Sequence, residues 1–281
     1  MNTLPTGAAL VAGVVGQPIH HSLSPFLHTA WLRDLGLNAV YAPFAPKDEH
    51  AFDRLVLSCR SNGIKGLNVT APFKEQALAL ADTVADSAGR CGSANLLTFD
   101  DDGYVHAQST DGLGLVRAFH LQAPKCDLSA GPVVVMGAGG ASRAAVAAML
   151  DAGCADVRIV NRTLARAEEL VFTFQTGVTA YALSDVDRAF TGAVAVINAA
   201  SGGPLPLFNA LTPDATVMDM TYRPLRTAWL QAAAEKGCAT VDGLTMLIEQ
   251  ARPSFEAFYG VAPNPAFDIR GLALEFLGEP A

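Results

Sequence analysis

The run Val133-Val134-Val135-Met136 passes directly into Gly137-Ala138-Gly139-Gly140-Ala141-Ser142, and then into an Ala-rich stretch from Arg143 to Leu150. A short apolar strand, a G-x-G-x-x-small turn and a helix in that order is a demanding arrangement. The first glycine permits the tight turn, and the second lets a pyrophosphate approach the backbone. The third position needs a small residue for helix–strand packing, and Ser142 meets that need. Backbone N–H groups at the start of the helix then face an anion. The pattern predicts a parallel, doubly wound unit that holds a dinucleotide.

The next strand selects among dinucleotides. Val157 to Val160 ends in Asn161-Arg162-Thr163, with Arg166 one turn later. An NAD site carries an acid there, about 20 residues past the glycines, for the ribose 2′-OH. Here two guanidinium groups and a hydroxyl stand in its place, which suits a 2′-phosphate and predicts NADP.

The same alternation runs through most of the chain. Strands are expected at 10–15, 40–44 and 66–70, with a hairpin of 95–99 and 104–107 around Asp101-Asp102-Gly103. Ser24 is expected to cap a helix with Pro25 at its first position. A helix over 51–59 follows, and Asp111 caps one reaching about Leu121. After the polar break 122–127, strands at 132–136, 157–160, 181–183, 194–198, 216–220 and 239–241 alternate with helices, among them 142–150 and 164–174. Beyond Asp242-Gly243 the pattern is helical, with Pro253 expected to kink or split 244–258. Repeated βα units imply parallel sheets with right-handed crossovers. The fold class is α/β, in two units joined near residue 111.

Of the 281 residues, 51% are hydrophobic and 16% charged, enough apolar mass for sizeable cores and too little charge for a disordered chain. The net charge of −8 argues against nucleic acid, which needs a basic stripe. The five cysteines, Cys59, Cys91, Cys126, Cys154 and Cys238, form no C-x-x-C pair and read as free thiols in a reducing compartment. The six histidines show no metal-ligand spacing, so no metal is expected. Residues 1–7 have no positive segment, and the apolar run 8–16 is too short to cross a bilayer. A cytoplasmic protein with no membrane partner is expected.

No H-E-x-x-H, G-x-S-x-G or P-loop lysine is present, so hydride transfer is the economical chemistry. Reduction of a ketone needs a proton donor beside the oxygen. Of five lysines, Lys74 stands out, following Asn68-Val69-Thr70-Ala71-Pro72-Phe73 where a strand end turns into a helix. The helix dipole and partial desolvation favour a lysine that gives up its proton; a surface lysine beside Glu75 is the plain alternative. Asp111 in Ser109-Thr110-Asp111-Gly112 can hold that ammonium, or serve only as a cap. Ser22 and Ser24 can cap a helix or hold a carboxylate.

Taken in order, these segments resemble the shikimate dehydrogenase family over nearly the whole chain. The resemblance lies in Gly16-Gln17-Pro18-Ile19-His20-His21-Ser22-Leu23-Ser24-Pro25, Asn68 to Glu75, Ser109 to Gly112, Gly137 to Ser142 and Asn161-Arg162-Thr163. It continues in Asn198-Ala199-Ala200-Ser201, Asp219-Met220-Thr221-Tyr222 and Asp242 to Leu247. The resemblance implies NADP-linked interconversion of 3-dehydroshikimate and shikimate, with Lys74 and Asp111 as the acid–base pair. It assigns Ser22 and Ser24 to the substrate carboxylate with Tyr222 near it, and Asn68, Thr70, Asn95 and Gln250 to the hydroxyls. Gly137, Ala138, Gly139, Gly140 and Ala141 would hold the pyrophosphate. Asn161 would belong to the cofactor site, with Arg162, Thr163 and Arg166 at the 2′-phosphate and Met220, Gly243 and Met246 at the nicotinamide. It also implies a substrate domain of 1–110 with 243–281, a Rossmann domain of 111–242, a cleft between them, and a monomer or homodimer. Ala94-Asn95-Leu96 stands where the family has V-N-T, and Ser109 replaces an Asn. Quinate or a related acid is therefore an alternative substrate, and a silent NADP-binding regulator an alternative role.

Overall fold

The computed structural model describes residues 4–200, 202 and 206–279; Ser201 of the Asn198–Ser201 motif and residues 1–3 of the N-terminal reading lie outside them. The chain divides into two compact units, Met1–Thr110 with Gln250–Ala281, and Asp111–Glu249.

The first unit carries β1 (Leu10–Val15), α1 (Ser24–Asp34), β2 (Ala39–Phe44), α2 (Glu49–Cys59), β3 (Ile64–Val69), α3 (Lys74–Ala79), β4 (Thr83–Val84), α4 (Asp86–Cys91), β5 (Leu96–Phe99) and β6 (Val105–Gln108). They form one sheet in the order β2-β1-β3-β5-β6-β4. The β2, β1 and β3 strands are parallel, as the βα alternation predicts, while β5 runs antiparallel to both β3 and β6. Stacked Phe52 and Phe73 rings, 4.8 Å apart, sit in its core with Leu67, Leu97 and Val105. Strand β4 and helix α4 carry too few apolar residues for the sequence pattern to reveal them.

The second unit carries α5 (Asp111–Gln122), β7 (Val133–Met136), α6 (Gly140–Asp151), β8 (Val157–Asn161), α7 (Leu164–Phe174), β9 (Val178–Ala182), a 3₁₀ turn at Leu183–Asp185, α8 (Val186–Phe190), β10 (Ala195–Asn198), β11 (Thr216–Asp219), α9 (Ala228–Glu235) and β12 (Ala239–Val241). Its sheet has the order β12-β11-β10-β7-β8-β9, every pair parallel. Read from the other edge, this is the 3-2-1-4-5-6 order of a doubly wound dinucleotide fold, with its switch point between β7 and β10. Helix α10 (Gly243–Tyr259) starts in the second unit and ends in the first, and α11 (Ile269–Leu277) follows it.

Three local expectations are corrected. Ser24 is the first residue of α1 rather than its cap; the cap position is Leu23, already in right-handed helical geometry. The Ser22 hydroxyl instead accepts the Ser24 N–H at 3.3 Å. Asp111 likewise opens α5 as its first residue. Helix α10 runs through Pro253 unbroken, in a stretch where Ala251, Ser254, Phe255 and Phe258 are buried. Tertiary packing there outweighs the lost backbone bond.

A buried imidazole gives the first unit a pH dependence. His28 on α1 is fully buried, stacked on Tyr41 at 3.8 Å, and neither ring nitrogen has a hydrogen-bond partner among the described residues. Burial lowers its pKa from 6.5 to about 3. Between those values the unfolded chain binds a proton that the folded chain does not. Stability is therefore intact above pH 6.5 and falls as pH drops, by up to about 1.4 kcal/mol per pH unit. Urea titrations between pH 7 and 4, values set by this window, should show wild type losing stability faster than His28→Leu. Parallel pH profiles would contradict the assignment.

Candidate active site

The candidate substrate residues of the first unit lie at the carboxyl ends of β1 and β3 and around the turn into β5. After β1 the chain turns at Gly16, where an added Cβ would collide with the Thr70 methyl group; glycine is what lets the two turns approach. Gln17 N–H donates to the Ala71 carbonyl at 3.0 Å, and Thr70 N–H to the Val15 carbonyl at 2.9 Å. The segment carrying Ser22 and Ser24 is thus tied to the one carrying Thr70 and Lys74. Ser24 is buried, and Ser22, Thr70 and Lys74 are half-buried. Lys74 is the first residue of α3, and its carbonyl accepts from Ala94 N–H at 2.9 Å.

Asn95 is the centre of this region. Its carbonyl accepts from Val69 N–H at 2.8 Å and from Asn68 Nδ2 at 3.3 Å. Its N–H donates to the Gln108 carbonyl at 3.1 Å. Its Oδ1 accepts the Thr110 N–H at 2.8 Å, and its Nδ2 donates to Thr110 Oγ1 and Gln250 Oε1, both at 2.9 Å. Asn68 in turn accepts from the Tyr41 hydroxyl at 2.7 Å and donates to Ser254 Oγ at 2.8 Å. Burial holds the Tyr41 pKa well above the usual phenol value, so the hydroxyl keeps the proton it donates. Tyr41 and Ser254 carry no sequence signal, because a single hydroxyl in a strand or helix makes no pattern, and Thr110 enters the sequence only as part of the Ser109–Gly112 motif.

Leu96, beside Asn95, is fully buried and belongs to the core of the first unit. Ser109 is half-buried, and its N–H donates to Ser87 Oγ at 3.1 Å.

In the second unit the glycine turn leaves the end of β7 at the switch point. Gly137 has φ +105°, and an added Cβ would lie 3.0 Å from Ala200 N and 3.1 Å from Ser142 Oγ. Ser142 is fully buried and its Oγ accepts the Gly139 N–H at 3.3 Å. At Gly139 an added Cβ meets nothing within 4 Å. The N–H groups of Gly140 and Ala141, in the first turn of α6, have no intrahelical acceptor.

A cavity of about 300 Å³ lies over this turn, lined among others by Gly137, Ala138, Gly139, Asn161, Arg162 and Arg166. Asn161 Nδ2 donates to the Thr163 carbonyl at 2.9 Å, which fixes the turn after β8. Thr163 occupies the cap position of α7, yet its side chain makes no capping bond. Both arginines are exposed, and neither pairs with a carboxylate among the described residues. Open space at Gly139, helix-start N–H groups, two guanidinium groups and a hydroxyl are the donor set that a phosphorylated dinucleotide requires.

The remaining candidates sit around β11 and the start of α10. Asp219 is 1% exposed and accepts from Asn198 Nδ2, Thr221 N–H and Thr227 Oγ1 at 3.0, 3.0 and 2.8 Å. It thereby shapes the segment bearing Met220 and Tyr222, both half-buried. An added Cβ on Gly243 would collide with the Met220 carbonyl, so these two positions are in contact. Asp242 caps α10 through Leu244 and Thr245 N–H and is bonded to Gln122, while Met246 is buried in the core of this unit. Asp111 is 7% exposed at the start of α5. Among the described residues no group of three His, Cys, Asp or Glu is placed to hold a metal, and no helix is long and apolar enough to cross a membrane.

Fold and site together define a two-unit α/β protein whose second unit is a Rossmann-type dinucleotide-binding domain. Two family models match the chain: "Shikimate dehydrogenase substrate binding domain" over residues 14–97, and "Shikimate / quinate 5-dehydrogenase" over 120–219. A protein of Caulobacter vibrioides named shikimate dehydrogenase (NADP(+)) is 52% identical over 98% of both chains. The structure of shikimate 5-dehydrogenase from Thermus thermophilus in complex with NADP(H) and shikimate superposes with a TM-score of 0.82 at 32% identity, covering 95% of this chain and 99% of that one. Quinate dehydrogenase from Corynebacterium glutamicum in complex with NAD gives 0.85 at 28% identity, covering 96% and 99%. The chain belongs to the shikimate dehydrogenase family.

The two glycines should separate stability from access. Gly137→Ala should lower the thermal midpoint by several degrees, since it combines a positive φ with close backbone contact. Gly139→Ala should leave the midpoint within about 2 °C. Equal midpoints in calorimetry would refute this division of roles.

Proposed function

We propose that the chain reduces 3-dehydroshikimate to shikimate, reversibly, with NADPH. The observation that carries this reading is the single cavity shared by the glycine turn and the Arg162/Arg166 pair. It occurs in a chain 52% identical to a protein named shikimate dehydrogenase (NADP(+)). An acid at the end of β8 would have favoured NAD; Asn161, Arg162 and Thr163 stand there instead.

In this reading the pyrophosphate lies along residues 137–141, and Arg162, Thr163 and Arg166 hold the 2′-phosphate. Met220, Gly243 and Met246 border the nicotinamide, which when bound supplies the hydride for the substrate carbonyl carbon. Ser22 and Ser24 hold the substrate carboxylate, with Tyr222 beside it, and Asn68, Thr70, Asn95 and Gln250 take the hydroxyls. Lys74 Nζ, as an ammonium, donates to the C3 oxygen as negative charge develops there and passes its proton to it. Asp111 is the carboxylate that holds that ammonium. In the oxidative direction the neutral amine takes the proton back from the hydroxyl.

The substrate-binding part is residues 1–110 with 243–281, and the cofactor part is 111–242. Its partners are small molecules, and it works in the cytoplasm as a monomer or homodimer; the net charge of −8 is compatible with this. The quinate and silent-regulator alternatives are not favoured. The relative at 52% identity is named for shikimate and NADP(+), and a regulator has no need for a lysine and an aspartate at the acid–base positions.

Purified protein should oxidise NADPH on addition of 3-dehydroshikimate, with a much lower kcat/KM for 3-dehydroquinate or for NADH. Lys74→Ala should lose about 10²–10⁴-fold in kcat while shikimate still binds. Unchanged kcat in that variant would remove Lys74 from proton transfer, and no turnover with either acid would sink the assignment.

A further inference from the structure

Two side-chain amides in the first unit, Asn95 and Asn68, are bonded to backbone atoms whose hydrogen-bond roles cannot be exchanged. The Thr110 N–H can only donate, so the Asn95 side-chain atom 2.8 Å away is the oxygen. Asn95 Nδ2 therefore faces Gln250 at 2.9 Å, and the Gln250 atom there is Oε1. Thr110 Oγ1 lies 3.2 Å from that oxygen and 3.3 Å from Asn95 Oδ1, and its hydroxyl can donate to either; both choices leave both oxygens as acceptors. The Asn95 carbonyl can only accept, so the Asn68 atom 3.3 Å from it is Nδ2. The second hydrogen of that nitrogen goes to Ser254 Oγ at 2.8 Å, and Oδ1 takes the Tyr41 hydroxyl hydrogen at 2.7 Å. These pairings span 15 to 186 residues of sequence.

What is left over differs between the two amides. Both hydrogens of Asn68 Nδ2 are committed, and one lone pair remains on Oδ1. Gln250 Oε1 is held by Asn95, and Nε2 has no acceptor among the described residues. We propose that the backbone of Asn95 and Thr110 sets the hydrogen-bond direction of the substrate site, so that Asn68 offers a ligand only an acceptor and Gln250 only a donor. This rests on the assignment of Asn68 and Gln250 to the substrate hydroxyls. The ligand class follows: a polyhydroxylated acid whose group at Asn68 carries a hydrogen and whose group at Gln250 carries a lone pair. A hydroxyl satisfies either position. A ketone or methyl ether facing Asn68 sets lone pair against lone pair, as an ammonium facing Gln250 sets hydrogen against hydrogen, and a buried polar group left so is rejected strongly.

Two isosteric substitutions in the full-length protein test the direction. Gln250→Glu keeps an oxygen toward Asn95 and replaces the remaining donor by a negatively charged acceptor. Its thermal midpoint should stay within about 2 °C, its kcat should change less than its KM, and its KM for shikimate should rise at least about 10-fold. Asn68→Asp puts an oxygen against the Asn95 carbonyl and should lower the midpoint by more than about 4 °C, or fail to fold. In wild type, hydrogen exchange of the Gln250 side-chain amide, followed by NMR, should slow when shikimate is added. The proposal is overturned if Gln250→Glu loses midpoint and keeps its KM, if Asn68→Asp keeps its midpoint, or if shikimate leaves that exchange unchanged. A wild-type chain inert toward shikimate would instead refute the functional reading, and the two midpoints would still decide the amide directions.

Discussion

The Asn95 amide is the interaction on which the candidate substrate region depends. It is 4% exposed, and a buried amide without partners destabilises a fold by about 1–3 kcal/mol per unsatisfied group. Its side chain meets Thr110, the last residue before the chain enters the second unit, and Gln250, the first after it returns. Its backbone meets Val69, Asn68 and Gln108. One residue thus fixes the end of β3, the approach to β6, and the point on α10 where a glutamine is presented. Such a network specifies one arrangement because every member is committed to a particular role.

The second unit follows from a different constraint. Its central strands β7, β10 and β11 are buried on both faces, which is why they read as nearly continuous apolar runs. The switch point of the strand order puts the end of β7 beside the end of β10, and Gly137 there has no room for a side chain against Ala200. Ser142 satisfies the small-residue requirement and also takes the Gly139 N–H, a bond that glycine at this place would not make. The arginines after β8 remain open to solvent, where a phosphate can reach them.

Much of this was legible in the sequence. The apolar runs located every strand but β4 to within a few residues, and the strand–glycine–helix order gave the parallel unit and its cradle. Helix starts were less legible. Ser24 and Asp111 have the chemistry of caps, but each lies one residue inside its helix, because the preceding backbone is already committed by other bonds. Pro253 looked like a breaker, yet it sits in a helix whose burial maintains it. The Tyr41–Asn68–Ser254 chain was not legible at all, since a pairing across 186 residues leaves no periodic trace. Leu96 read as a lost hydroxyl and is a core residue.

If Asn95 and Gln250 act as one unit on the ligand, their contributions to shikimate affinity cannot be independent. A double-mutant cycle of Asn95→Ala and Gln250→Ala, read by calorimetric titration with shikimate, measures this coupling directly. The double variant should lose little more affinity than Asn95→Ala alone, with a coupling energy above about 1 kcal/mol. Losses that add to within about 0.5 kcal/mol would contradict the account.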